Sequence, residues 1–600
     1  MQVQRRAYAI AGAMALVALS VGASTAAAAD GNRTVMSHDH QASTATPIKH
    51  LVVIFDENIS FDHYFGTYPF AANLPGEQPF HARRDTPTVN GLFNSVGPAG
   101  VTGPLLTANP NLSNPLRLPP SDPMTCDQGH GYTAEQSAAD HGAEDQFAQT
   151  TGKNVTLASC LAGFNYLGKP EVVPAGGAAN FAVMDYYDGN SVTALWKYAQ
   201  HYAMSDNMFA TNYGPSTPGA LNVIAGQTYG ATCGPTFATI NDSPCPAPPG
   251  YNGTTVGASN ITAGPPAAAG PGTSYGDADP TYDICSYLPS SDGGDGNTPA
   301  TTLGMGGNNI GADLTSANVK WGWFEGGFDN GFVSGSGTPP TTAQICSQQN
   351  TNVGGNAVTA YIPHHEPFQY YASTANPMHL PPTSVSMVGR TDQANHQYDI
   401  NDFWAAADSG NMPAVSYLKA PAYQDGHAGY SDPLDEQQWL VTTINHLESL
   451  RTWDSTAVVI TYDDSDGWYD HVLAPITAQS QTALDTLTGT GTCGSQLTRV
   501  PVNSADQPEQ GRCGLGVRMP FLVISPWAKS NFVDNTLIDQ SSVVKFIEYN
   551  WRLPAMGNGA VDGAAGSILS MFDFHGFRNP PLFLRPTSGR TVARSGYRAG

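Results

Sequence analysis

The apolar positions of this chain gather in short β-branched runs, and two of those runs end in oxygen-bearing side chains. Leu51-Val-Val-Ile-Phe55 leads into Asp56-Glu57-Asn58, and Val458-Val-Ile-Thr-Tyr462 leads into Asp463-Asp464. An unbroken apolar run of this kind reads as a parallel strand buried on both faces. The pattern predicts strands over Lys49–Phe55, Lys320–Phe324, Ala457–Tyr462 and Pro520–Ser525. Leu440, Ile444 and Leu447 recur at helical spacing and predict an amphipathic helix over 434–450. Val544, Phe546, Ile547 and Trp551 mark a late helix, and Ser191 is the expected cap of a helix running to Ala203. Strands alternating with helices predict an α/β fold: a doubly wound, mostly parallel central sheet with helices on both faces. Ligands in such sheets collect beyond the carboxyl ends of the strands, which is where Glu57, Asn58, Asp463 and Asp464 are delivered. There is no internal repeat.

Composition adds bulk and loops to this picture. The 600 residues are 40% hydrophobic and only 12% charged, enough apolar surface for a large core. Gly 64 and Pro 46 point to long loop insertions. The stretch 230–316, rich in Gly, Pro, Ser, Thr and Ala, reads as a surface insertion within one domain spanning 47–575. The formal charge of −24 argues against sequence-independent nucleic-acid binding and against docking on anionic lipid. The basic tail 576–600, with five arginines and no acids after Phe577, reads as a solvated extension.

Residues 1–29 have the pattern of a signal peptide: Arg5-Arg6, an apolar stretch, and alanines through Ala29. Gln4-Arg5-Arg6-Ala7-Tyr8 fits a twin-arginine signal as well as an ordinary Sec leader. Residues 30–46 read as a flexible terminus. The expected protein is therefore exported, periplasmic or secreted, with no integral membrane contact. Eight cysteines lie beyond the leader and none forms a close C-x-x-C pair, so disulfides are expected rather than a zinc ribbon. Sequential pairing, Cys126–Cys160, Cys233–Cys245, Cys285–Cys346 and Cys493–Cys513, would close a local loop each time.

The candidate chemistry lies in these loops. Adjacent carboxylates such as Asp463-Asp464 repel unless a cation or hydrogen bonds compensate. With Glu57 and Asn58 they make an oxygen-only donor set suited to one divalent ion, Ca²⁺, Mg²⁺ or Mn²⁺ alike. Gly214-Pro215-Ser216-Thr217-Pro218-Gly219 forces a tight turn ahead of a helix. Ser216 there is either a helix cap or a hydroxyl held where free N–H groups accept an anion. His130, His364, His365 and His427 all sit in loops punctuated by Gly or Pro, placed to bind phosphate oxygens or to protonate a leaving group.

Asp56-Glu57-Asn58-Ile59-Ser60-Phe61-Asp62 resembles the E-N-x-S-F-D motif of the bacterial phosphoesterase family, which groups phospholipases C with secreted acid phosphatases in the alkaline-phosphatase-like superfamily. Asp463-Asp464-Ser465-Asp466-Gly467-Trp468-Tyr469-Asp470-His471 resembles its D-[DE]-x-x-G-[FW]-[FY]-D-H motif. Ser205-Asp206-Asn207 leading to Gly214-Pro215-Ser216 looks like its nucleophile loop. The Cys126-Asp127-Gln128-Gly129-His130 and Pro363-His364-His365-Glu366 segments are similar to the acid phosphatase branch. The resemblance implies a metal held by Glu57, Asn58, Ser216, Asp463 and Asp464. It also implies a nucleophile at Ser216 and phosphate-facing His130, His365 and His427, with His364 and His471 as further candidates. Asp56 departs from the family, where many relatives carry an apolar residue. Ser216 stands where phospholipases C often carry Thr.

The expected activity is hydrolysis of phosphate monoesters through a phosphoseryl intermediate. The rival within the class is a phospholipase C acting on phosphodiester phospholipids. A sulfatase is disfavoured by the absence of C-x-P-x-R. The rival outside the class is a secreted, non-catalytic calcium-binding protein.

Overall fold

The computed structural model describes residues 43–93, 103–152 except 122, 179–234, 245, 272–288, 297, 301–327, 346–494 except 353, 354 and 356, and 510–593 except 558. The expected leader and most of the expected flexible terminus lie outside the described residues.

Eight strands form the central sheet, in the spatial order Gln397–Asp399, Trp321–Glu325, Val415–Lys419, His50–Asp56, Thr456–Tyr462, Phe521–Ile524, Ala203–Ser205 and Phe532–Asp534. Every pairing is parallel except those of Phe521–Ile524, which runs against both neighbours. All seven residues of His50–Asp56 and of Thr456–Tyr462 are buried, as expected for central parallel strands covered on both faces. Asp56 pairs with Tyr462. The chain therefore leaves the sheet with Glu57 and Asp463 side by side.

Helices Ser216–Ala225 and Ser541–Trp551 pack together, as do Thr193–His201 and Pro433–Ser449. Asp432 caps the last of these, accepting from the N–H groups of Leu434 and Asp435. Two local expectations fail. Thr193–His201 begins without a side-chain cap, so Ser191 does not play that part, and Ala203 belongs to a strand. The Phe521–Ile524 run is as buried as a parallel strand but is antiparallel; apolar patterning reports burial, not direction.

Among the described residues of 230–316, Tyr229–Cys233 pairs with Gly272–Thr273 and Gly304–Met305 in a small antiparallel sheet. The chain then forms a helix, Ile310–Ser316, capped by Asn309. Disulfides join Cys233–Cys245, Cys285–Cys346 and Cys493–Cys513, the sequential pairing among those the sequence leaves open. Cys126 is also disulfide-bonded, and Cys160 lies outside the described residues. Among the described residues no helix is long and apolar enough to cross a membrane.

The tail to residue 593 does not behave as a solvated extension. Leu584 is buried and exchanges hydrogen bonds with Asn445, while the Leu582 N–H donates to Glu448.

Candidate functional site

Three loops and one helix end meet at the carboxyl ends of the central strands. Glu57 and Asn58 follow His50–Asp56, and Asp463 and Asp464 follow Thr456–Tyr462. Asn58 takes a left-handed φ of 62°, which asparagine tolerates. Its N–H donates to Asp463 Oδ1 at 2.8 Å. Helix Ser216–Ala225 brings in the hydroxyl, with Pro215 at the N-cap position and no side-chain cap bond. Ser216 is thus not a capping residue. Its Oγ lies 3.2 Å from Glu57 Oε2, 3.4 Å from Asn58 Oδ1 and 3.1 Å from Asp464 Oδ2. The Thr217 N–H is already bonded to Asp277, so the helix start is only partly open to an anion.

Gly219 explains how Ser216 comes so close. A Cβ on Gly219 would stand 2.0 Å from the Asp463 carbonyl oxygen, so only glycine lets the helix lie on the Asp463 backbone. Glu135, on helix Tyr132–Ala139, ties the two parts from the other side. It accepts from Ser465 Oγ at 2.6 Å and from the Gly214 N–H at 2.9 Å.

Glu57, Asn58, Ser216, Asp463 and Asp464 are each at most 2% exposed, so solvent cannot balance their charge. Burial raises the Glu57 and Asp464 carboxyls well above the usual range, and the neighbouring Asp463 adds to both shifts. Asn58 Oδ1 sharpens the case for a cation. It stands 3.0 Å from Glu57 Oε2, 3.1 Å from both Asp463 oxygens and 3.3 Å from Asp464 Oδ2, all acceptors. Turning the amide over would aim Oδ1 at His427 Nε2, 2.8 Å away. That nitrogen carries no proton in the neutral ring, because Nδ1–H is committed to the Ala428 carbonyl and burial holds His427 down at about 4. The amide therefore donates to His427 and leaves its oxygen among carboxylates. Five oxygen-bearing side chains converging in this way fit a hard divalent cation.

The histidines divide. His365 Nδ1 is 3.4 Å from Glu57 Oε1, in the same cluster. His364 turns instead to Asp279, its Nδ1 lying 3.3 Å from the carboxylate. His427 has one ring nitrogen on Ala428 and the other on Asn58. His130 Nδ1 lies 3.0 Å from Asp466 Oδ1 and 3.5 Å from Asp127 Oδ1. Burial opposes charge on His130, but Asp464, Asp466 and Asp127 overcome it and push the ring well above its ordinary value. His471 joins a different network. Its Nδ1 is 2.6 Å from Asp62 Oδ2, and Arg518 holds both Asp62 and Asp470. The Asp62–Asp470–His471 group thus already has its cation, the guanidinium, which pins the two acidic motifs to each other.

Among the described residues, two other acid-rich groups have the spacing for a metal. The Asp127–His130–Asp466 group adjoins the main cluster through Asp464. The Asp283–Cys285–His379 group is spoiled by the Cys285–Cys346 disulfide.

Lys419, Asp425 and Glu135 also support this site, and no sequence motif singles them out. Lys419 ends a buried strand, as Glu57 and Asp463 follow theirs. The run Val415-Ser-Tyr-Leu-Lys419, with Pro413 and Pro421 about it, is too short and mixed to declare itself.

A mostly parallel α/β domain that gathers an all-oxygen donor set and a serine at its strand ends defines the class. The chain belongs to the phosphoesterase family, whose sequence profile matches residues 48–554. It is 31% identical over 192 residues to a non-hemolytic phospholipase C of Pseudomonas aeruginosa, covering 31% of this chain and 27% of that protein. It is 28% identical over 188 residues to phospholipase C A of Mycobacterium tuberculosis, covering 31% and 34%. It is 29% identical over 146 residues to non-specific phospholipase C6 of Arabidopsis thaliana, covering 23% and 24%. The chain thus aligns with about a third or less of the length of these relatives.

Proposed function

We propose that this protein is an exported, metal-dependent hydrolase of phosphoric esters that works through Ser216. The observation that carries the reading is the Ser216 hydroxyl, buried within 3.1–3.4 Å of oxygens from Glu57, Asn58 and Asp464. A divalent cation held by Glu57, Asn58, Ser216, Asp463 and Asp464 would lower the pKa of the hydroxyl and offset phosphoryl charge.

Ser216 Oγ attacks phosphorus in line, its proton passing to the neighbouring Asp464 or Glu57 carboxylate, while the bond from phosphorus to the leaving alcohol breaks. The leaving oxygen takes a proton from a histidine. His130 is the best-supported donor, since its acidic neighbours favour the charged ring, whereas burial and then Lys419 hold His365 well below its ordinary value. His427, with both ring nitrogens engaged, orients Asn58 instead. Water then attacks the phosphoserine and restores the hydroxyl. Lys419 and Asp425 hold Glu57 from behind and touch no substrate.

Small phosphate monoesters are the substrates that the Ser216 nucleophile and the His130 and His364-His365 segments favour. Phosphodiester phospholipids are the second reading, favoured by relatives that are named phospholipases C. Turnover of p-nitrophenyl phosphate against phosphatidylcholine separates the two. Ser216→Ala is expected to abolish turnover of whichever is cleaved while the melting temperature holds. Retained turnover would remove Ser216 from the mechanism, and a metal-stabilised protein with no turnover at all would favour the calcium-binding alternative.

A further inference from the structure

Toward the amino ends of the strands lies a feature that the hydrolytic centre does not use. Helix Thr193–His201 ends just before Ala203, which pairs through Val523 with Val459, well before Tyr462 and the acidic loop that follows it. A pocket of about 340 Å³ opens there, lined by Pro79, His81, Arg83, Lys197, Gln200, His201, Leu582 and Thr591. No carboxylate lines it, in a chain with 49 acidic and 25 basic residues.

Its polar side chains come from three separate stretches. Lys197 and His201 stand one helical turn apart and face the same way; burial holds His201 below its ordinary value, so the charge on this helix is the lysine's. Arg83 arrives from an exposed loop, where Asp85 pairs with it at 2.8 Å. Arg590, from the packed basic tail, lies close enough to Lys197 to disfavour its charge. Burial acts first and Arg590 second, and both lower the lysine. Among the described residues Lys197 has no carboxylate partner. Gln200 donates to Thr86 at 2.9 Å and steadies the wall, and His201 Nε2 is fixed on the Pro580 carbonyl at 2.8 Å.

We propose that this pocket binds a phosphate-class oxyanion at a second site, remote from Ser216. Crowded cations with a single counter-ion are relieved by a multiply charged anion, and Arg and Lys together suit phosphoryl oxygens. The volume admits a phosphate or a phosphorylated headgroup but not a polymer strand. The basic tail thereby has a role: Leu582 and Thr591 supply one wall, and Arg590 adds charge beside Lys197 from outside the lining.

Isothermal titration of the full chain tests this in two arms, inorganic phosphate in one and phosphatidylcholine vesicles with and without phosphatidic acid in the other. Lys197→Gln and Arg590→Gln are each expected to weaken binding by about tenfold or more. Loss in the phosphate arm assigns the pocket to free phosphate. Loss only with phosphatidic acid assigns it to a lipid headgroup. Hydrolysis in phosphate-free buffer stays at the unsubstituted rate. Titrations unchanged in both arms overturn the proposal, and the exposed Arg83→Gln replaces either variant should its melting temperature show that it has not folded.

Discussion

Lys419 Nζ stands 2.5 Å from Glu57 Oε1, and both side chains are fully or almost fully buried. Glu57 thus turns Oε1 to Lys419 behind it and Oε2 to Ser216 in front. Asp425, 3.6 Å from the same ammonium, completes the rear of the site. Burial opposes the lysine's charge, yet Glu57 and then Asp425 hold its pKa above the ordinary value.

Lys419→Met would remove that partner and leave two buried carboxyls without it. Breaking a buried pair in this way costs about 3–5 kcal/mol. The midpoint of urea denaturation is the measurement, and a midpoint equal to that of the unsubstituted protein would refute the part assigned to Lys419. Lys419→Arg is expected to fail too, since the planar guanidinium does not fit the space of an ammonium.

Gly219→Ala probes position rather than charge. The new methyl meets the Asp463 carbonyl, so the helix must retreat and carry Ser216 with it. A displacement of about 1 Å costs on the order of 100-fold in rate. The expected signature is a large fall in kcat with a smaller effect on stability, read from steady-state kinetics and a thermal melt of the same preparation. Full activity would mean that helix and loop are not in register as described.

Chelation should reverse the pH dependence of stability. Without a cation the Glu57 and Asp464 carboxyls sit above their ordinary values, so the folded state retains protons that the unfolded chain releases. Stability then falls as pH rises above the ordinary carboxylate range. With the cation bound, protons compete with it, and stability is lost as pH falls instead. Melting temperatures at pH 5 and pH 8, with and without chelator, are expected to cross. Parallel curves would exclude a cation among these oxygens.

Glu448 offers a control far from the strand ends. It accepts from Tyr202 Oη at 2.6 Å and from the Leu582 N–H at 3.0 Å, and burial pushes it up to about 7. The contribution of Glu448 to stability therefore declines as pH rises from the ordinary glutamate value to about 7, and is flat beyond it. Glu448→Gln keeps an acceptor and removes the titration. Its gain over wild type is expected to grow with pH over that interval, to about 3 kcal/mol at neutrality, as measured by denaturant melts at several pH values. A constant difference would show that Glu448 does not titrate there.

The long central strands and the acidic residues beyond them were legible because burial on both faces writes itself as unbroken apolar runs. The four short strands Ala203–Ser205, Gln397–Asp399, Val415–Lys419 and Phe532–Asp534 were not, since each mixes polar with apolar residues over too few positions to show a period, unlike the equally short but apolar Phe521–Ile524. Glu57, Asp463 and Ser216 could be named from their flanks. Lys419 and Glu135 could not, because their importance lies in what they touch across the fold. His427 was legible as a loop histidine but not as the partner of Asn58, which depends on a single hydrogen bond of its ring.

The one reversed strand has a consequence for how this protein can vary. Phe521 pairs with Thr461, so the stretch from Asp470 to Arg518 both departs from and returns to the same rim of the sheet. Its described parts, 470–494 and 510–518, are anchored by the Asp470–Arg518 contact and joined by Cys493–Cys513. Residues gained or lost there leave the strand register of the central sheet unchanged, which makes this segment a natural place for descendants of the fold to diverge in what they admit.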